Sequence, residues 1–198
     1  HIIPEVILQL PTLGTINVHT SLLPKYRGAA PIQRSILAGE METGITIMRL
    51  VQEMDAGPIL SQLRYPIEPT ATSVDVERAL ASLGARLLVT TLKELITGSV
   101  TETDQRHEEA TYAAKIKRVD GEIDWSRAAQ VIHNLVRGLH PWPHAFTHYD
   151  GRRYLIHRTM LTPNFPTTEQ PGPILRADGQ ELIVSTGCDD TLHLEMLQ

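Results

Sequence analysis

Between residues 73 and 97, Val76, Leu80, Leu83, Leu87, Leu88, Leu92, Leu95 and Ile96 recur at helical spacing. A stripe of that length predicts one amphipathic helix of about seven turns, whose apolar side has to be covered by another element. Thr72 or Ser73 is placed to cap its start, and Gly98 to stop it. The stretches upstream have a different texture. Residues 15–19, 45–51 and 59–67 are short and β-branched, and 29–38 reads as a helix with Pro31 in its first turn and Gly39 at its end. Helices alternating with strands predict an α/β sheet domain. A doubly wound, Rossmann-like sheet normally has more strands than these. With no initiator methionine at residue 1, the expectation is that residues 1–100 are the carboxy-terminal part of such a domain.

Residues 99–119 are polar and lack a period, and 101–119 read as a linker. Asp124-Trp125-Ser126 then opens a helix, with Ser126 as N-cap, Val131, Ile132, Leu135, Val136 and Leu139 as its stripe, and Gly138 near its end. From Ala145 onward the pattern is β. Asp150-Gly151 and Asp178-Gly179 are hairpin signals among strands at 145–149, 153–161, 172–176, 181–186 and 191–197. One helix followed by short strands suggests a small, open, OB-like β-barrel over residues 120–198. Its last strand runs to the final residue, so this domain too is expected to be cut short.

Composition narrows the function classes. Hydrophobic residues make up 41% and charged residues 21% of the 198, as in ordinary globular proteins. No apolar run approaches the roughly 20 residues that span a bilayer, so no membrane role is expected. The first residues, His-Ile-Ile-Pro, do not have the layout of a signal peptide. The single cysteine, Cys188, allows no internal disulfide and no thiolate zinc site, and suits a reducing compartment. It sits in a turn-like Thr-Gly-Cys-Asp-Asp stretch with no basic neighbour, so no catalytic role is expected of it. The net charge is −5, but residues 127–158 reverse it locally. Arg127, Arg137, Arg152, Arg153 and Arg158 stand there against one acid, Asp150, together with five histidines. Such a face is either solvated surface or the footprint of a phosphate-bearing partner.

Chemistry concentrates in Asn17-Val18-His19-Thr20-Ser21-Leu22-Leu23-Pro24-Lys25-Tyr26-Arg27-Gly28. On a strand Asn17 and His19 project to one face, and a strand leading into a polar loop at the carboxyl edge of a parallel sheet is where such folds bind ligands. An amide beside an imidazole suits an oxyanion developing on a carbonyl carbon. A strand-end histidine can equally be structural. The loop Gln52-Glu53-Met54-Asp55-Ala56-Gly57-Pro58 is either a plain connection or a means of bringing the Asp55 carboxylate to His19. In the second case it would orient the ring and hold it charged.

Asn-x-His-x-Ser-Leu-Leu-Pro, then Arg-Gly-Ala-Ala-Pro-Ile-Gln, then Met-Asp-Ala-Gly-Pro-Ile-Leu resembles the formyltetrahydrofolate-dependent formyltransferase family. The resemblance implies that Asn17, His19 and Asp55 are the catalytic set. It implies that Ser21, Leu22, Leu23 and Pro24 border 10-formyltetrahydrofolate, and that Ile3 lines the pterin pocket. Ala29-Ala30-Pro31-Ile32-Gln33-Arg34, Thr111-Tyr112-Ala113-Ala114-Lys115-Ile116 and Asp120-Gly121-Glu122-Ile123-Asp124-Trp125 resemble the members that act on methionyl-tRNA. Pro141-Trp142-Pro143 is shared with those that formylate sugar nucleotides. The implied partner is initiator methionyl-tRNA, in translation initiation, with the intact enzyme a monomer of the cytoplasm, bacterial or else in an organelle matrix. The alternatives are an amino-sugar nucleotide acceptor, hydrolysis of the folate donor, or an inactive piece that binds RNA.

Basic residues Lys115, Lys117, Arg118, Arg152 and Arg153 are the candidates for tRNA phosphates, with a merely solvated surface as the other reading of the 115–118 run. His140, His144 and His148 would share a helical face, but Pro141 and Pro143 break a helix there and no carboxylates cluster nearby, so no metal is expected. Trp125 and Trp142 read as core or interdomain packing.

Overall fold

A computed structural model of the chain describes residues 3–162, 165–166, 170–179 and 181–198. It divides into two compact units, residues 1–35, 40–69 and 75–115 in the first and 36–39, 70–74 and 116–198 in the second. No described helix is long and apolar enough to cross a membrane.

The first unit starts with a single exposed turn, α1 (Glu5–Leu8), none of whose residues is buried. Its sheet has three strands, β1 (Ile16–His19), β3 (Glu42–Arg49) and β4 (Ile59–Pro66), in the order β1-β3-β4. All of these pairings are antiparallel, where the sequence places the site at the edge of a parallel sheet. The reason is partly one of length, since residues 50–58 are too few for the dozen or so that a parallel crossover needs. A two-residue parallel pairing joins β2 (Arg27–Gly28) to β5 (Tyr112–Ala113). Helix α2 (Pro31–Leu37) begins on Pro31, and Gly39 follows it at φ +75°.

The 25-residue helix α3 (Ser73–Thr97) is the striped segment. Val76, Leu80 and Leu95 are buried, whereas Ile96 is exposed. A side chain at Gly84 would press against Val18 and Ile45, so the helix approaches the sheet closely there. Ser61 and Thr91 share a hydrogen bond of 2.6 Å on the same side. In register, Val18 faces Ile47 and Ser61 also faces Ile47. Alternation along the strands therefore turns Val18, Ile45 and Ile47 toward α3 and leaves Asn17, His19, Thr46 and Met48 on the opposite face.

The second unit is an antiparallel sheet of β6 (Ala145–Tyr149), β7 (Arg152–Leu161), β8 (Ile174–Asp178), β9 (Glu181–Thr186) and β10 (Asp190–Leu197). Its order is β6-β7-β10-β9-β8, and no pairing among the described residues joins the edge strands β6 and β8. The sheet is open. Asp150 (φ +48°) and Gly151 (φ +72°) supply the two left-handed residues of the first hairpin.

Helix α4 (Ala129–Gly138) lies on β7 and β10. Ile132, Val136, Ala145, Ile156, Val184, Leu192 and Leu194 form the core between them. Each large side chain buried there contributes about 1.5–3 kcal/mol of transfer free energy. The helix starts two residues later than Ser126 predicts. Its N-cap is Ala128, and Ser126 instead donates its hydroxyl and its N–H to Asp124 Oδ1 in the preceding turn. Those bonds hold the Asp124 carboxyl below its ordinary pKa. Trp125 packs on the core and donates to Thr147 at 2.9 Å. Trp142 is half exposed.

Candidate active site

His19 ends β1 with its ring buried, while Asn17 is partly exposed two residues earlier on the same face. The Asn17 amide has no hydrogen-bond partner among the described residues, so its donors are open to a ligand. His19 Nε2 lies 3.0 Å from the Tyr26 carbonyl oxygen. A carbonyl only accepts, so Nε2 carries the proton of the neutral ring and Nδ1 presents the lone pair. Nδ1 is turned to Asp55 Oδ2 at 3.8 Å, beyond direct hydrogen bonding. The loop does fold Asp55 over His19.

Asp55 itself is held from two sides. Its Oδ2 accepts the Gly28 N–H at 2.7 Å, and its backbone is left-handed at φ +50°. Gly57 lies so close to Arg49 that any side chain would meet the Arg49 carbonyl oxygen. The backbone oxygens of Asp55 and Gly57 accept the two donors of Gln105 at 2.9 and 2.7 Å. Gln105 Oε1 in turn accepts Arg27 Nε and Nη2 at 3.1 and 2.8 Å. Arg27 is only 1% exposed, and its remaining neighbours are Glu53 at 3.6 Å and His107 Nδ1 at 3.5 Å. A buried guanidinium thus anchors the Asp55 loop through one amide.

Ser21, Leu22, Leu23 and Pro24 form the loop after β1, and its backbone is pinned from the sheet. Thr46 Oγ1 donates to Ser21 O at 2.7 Å and accepts the Leu23 N–H at 3.2 Å. Gln62, paired with Thr46 in register, donates to Thr46 Oγ1 at 2.8 Å and to Leu23 O at 3.1 Å. The Ser21 hydroxyl is fully buried and donates to Lys25 O at 2.6 Å, which leaves it a structural part of the loop. Leu22 rests where a side chain at Gly44 would otherwise stand.

Tyr26, at φ +60°, donates its hydroxyl to Glu40 at 2.8 Å. Burial, with that bond and the Glu40 charge, pushes its pKa well up and keeps it protonated.

Sequence reasoning brought Asn17, His19, Asp55 and the Ser21–Pro24 loop to this face. It missed Gln105, Thr46 and Gln62, and gave Arg27 no role of its own. Ile3 is 42% exposed, ahead of α1. Lys115, Lys117 and Arg118 are all exposed, as are Arg152 and Arg153 on β7. The Arg153 guanidinium lies 3.9 Å over the Phe146 ring.

An open amide, a ring of fixed tautomer and a clamped carboxylate meet around one strand end. The chain belongs to the formyl transferase family: residues 1–92 match the family described as formyl transferase, and 115–198 match the formyl transferase C-terminal domain. It is 46% identical to the methionyl-tRNA formyltransferase of Enterococcus faecalis over 99% of its own length, and spans 62% of that relative. A solved methionyl-tRNA formyltransferase from Clostridium thermocellum matches with a TM-score of 0.65 at 25% identity, over 83% of this chain and 70% of that one. A sugar 3N-formyl transferase solved in the presence of dTDP and 5-N-formyl-THF matches with a TM-score of 0.75 at 22% identity, over 91% and 64%. That likeness is one of fold.

Proposed function

We propose that the protein to which this chain belongs transfers the formyl group of 10-formyltetrahydrofolate to the α-amino group of initiator methionyl-tRNA. The observation that carries the reading is the Asn17–His19–Asp55 arrangement, with Nδ1 of His19 facing Asp55 Oδ2 at 3.8 Å. Identity of 46% to a curated methionyl-tRNA formyltransferase favours this acceptor.

The free amine attacks the formyl carbon, and the carbonyl oxygen becomes an oxyanion. The Asn17 amide donates to it, and Nδ1–H of a protonated His19 is the second donor, its charge balanced by Asp55. The proton lost by the attacking nitrogen passes through water to the His19–Asp55 pair. It is delivered to N10 of the folate as the C–N bond breaks. The products are formyl-methionyl-tRNA and tetrahydrofolate, with no covalent enzyme intermediate and no metal. Ser21, Leu22, Leu23, Pro24 and, more remotely, Ile3 border the folate in this reading.

Residues 1–100 are read as part of the Rossmann-like catalytic domain and 101–119 as the connection. Residues 120–198 are read as an OB-like domain that meets tRNA, with Lys115, Lys117, Arg118, Arg152 and Arg153 on phosphates. The working state is read as a monomer in the cytoplasm of a bacterium, since the curated relatives are bacterial.

The test is formyl transfer by the full-length protein, offered methionyl-tRNA, an amino-sugar nucleotide, or water alone with the folate donor. Formyl-methionyl-tRNA as the dominant product is expected. Transfer only to the sugar, or only formate release, would overturn the acceptor and keep the catalytic set.

A further inference from the structure

A second cluster of titratable groups lies in the second unit, built by the turn between α4 and β6. His140 leaves the helix, Pro141 and Pro143 carry the chain round, and the His144 N–H returns to the Leu139 carbonyl at 3.0 Å. Ser73 donates to the His140 carbonyl oxygen. The β6–β7 ladder pairs Ala145 with Ile156, so the next step outward sets His144 against His157. The rings of His144 and His157 meet edge to face with centroids 4.6 Å apart, and those of His140 and His144 are 5.3 Å apart. One ring nitrogen from each of His140, His144 and His157 lies within 4.8 Å of the other two.

Two further observations bear on what this cluster is for. Nδ1 of His140 and Nδ1 of His144 are the buried side-chain nitrogens or oxygens without a hydrogen-bond partner among the described residues. Leaving such an atom unsatisfied costs about 1–3 kcal/mol, so plain ring packing is a poor account of them. His144 also has a left-handed backbone at φ +66°, where glycine is the easy choice, yet a large imidazole is held there.

We propose that His140, His144 and His157 form a binding site for one late first-row divalent metal ion, with zinc as its natural probe. Three imidazoles with no thiolate and no carboxylate among them suit zinc, cobalt, nickel or copper rather than magnesium or calcium. Tetrahedral zinc bonds of about 2.0–2.1 Å put ligand nitrogens about 3.4 Å apart. The nitrogens, within 4.8 Å of one another, would have to draw together by ring rotation to reach that spacing. All three rings are partly exposed, which leaves the fourth position to water. The ion would staple the 140–144 turn to β7. It lies outside the Asn17–His19–Asp55 chemistry and plays no part in formyl transfer.

The experiment uses untagged protein freed of metal by chelation and titrated with Co²⁺ and Zn²⁺. Native mass spectrometry counts the ions and visible absorption reports cobalt geometry. One ion per chain is expected, with cobalt bands of a tetrahedral nitrogen-ligated site that zinc abolishes. His144→Gly and His157→Gln should each weaken binding more than about 10-fold, the least that losing even a supporting partner costs a metal site. His148→Gln, a change at an exposed residue outside the cluster, should leave it unaltered. Urea melts of the metal-free variants accompany the titrations. Lost binding in a variant whose metal-free melt is unchanged supports the site, and binding lost only where the fold is lost counts against it. Failure of the parent protein to hold an ion at about 1 μM free metal, or full affinity in both variants, overturns the proposal.

Discussion

The strand-end face of the first unit and the 140–144 turn of the second treat buried polar atoms in opposite ways. Around His19 each buried polar side chain is answered: Arg27 by Gln105, Gln105 by the Asp55 and Gly57 carbonyls, Thr46 by Ser21, Leu23 and Gln62. In the turn, two imidazole nitrogens have no answer among the described residues. A satisfied network stores position, because moving any member breaks bonds made by the others. It suits a site that must hold an amide, an imidazole and a carboxylate in register. An unsatisfied pair of acceptors stores affinity for whatever can fill it. The first arrangement fits the proposed transfer chemistry, the second the proposed metal site.

That contrast can be tested by breaking the first network at successively less central points. The largest effect is expected at the reacting groups. His19→Ala or Asp55→Ala should lower formyl-transfer turnover by about 10²–10⁴-fold and change folate affinity far less, as seen by steady-state kinetics beside direct folate titration. Lost folate binding with normal residual turnover would remove these residues from the mechanism.

Next comes the clamp. Gln105→Ala leaves the Arg27 guanidinium buried without its main acceptor and should cost about 3 kcal/mol in urea unfolding. Gln105→Glu restores the acceptor but cannot donate to the Asp55 and Gly57 carbonyls. It should regain part of the stability while turnover stays low, which a purely structural role for Gln105 would not produce.

A smaller loss, about 2 kcal/mol by the same unfolding measurement, is expected of Gly57→Ala, because the added methyl meets a backbone oxygen that cannot swing away. Wild-type stability there would mean that the Asp55 loop is looser than its hydrogen bonds imply.

The least effect on the fold is expected at the exposed start of β7. Arg152→Ala with Arg153→Ala should change stability by no more than about 0.5 kcal/mol per site. It should flatten the salt dependence of tRNA binding by about 1 in logarithmic slope for each phosphate left without its arginine. An unchanged slope would take β7 off the tRNA path.

Several parts of this molecule were legible residue by residue. The α3 stripe, Pro31 at the start of α2 and the Asp150-Gly151 hairpin all follow local rules of period, cap and turn. The helix after Asp124 misled because Ser126 had a competing use. An adjacent carboxylate captured both its hydroxyl and its N–H, so the cap passed to Ala128 with no side-chain bond. At the candidate site the strand-end pair and the Asp55 loop could be named from spacing and resemblance. Gln105 could not, because it stands in a polar run without period and acquires meaning only through partners 48 to 78 residues away.

The metal question divides in the same way. Spacing by four drew attention to His140, His144 and His148, and the two prolines correctly ruled out a shared helical face. What brings histidines together is a ladder register, and it selects His157 in place of His148. Sequence by itself determined most element types, the hairpin turn at Asp150-Gly151 and the candidate residues for chemistry, because these depend on neighbours within a few positions along the chain. Tertiary structure alone decided which strands run antiparallel, which amide anchors the Asp55 loop and which imidazoles meet. Those choices depend on long-range hydrogen bonds and register, for which a linear string carries no local signal.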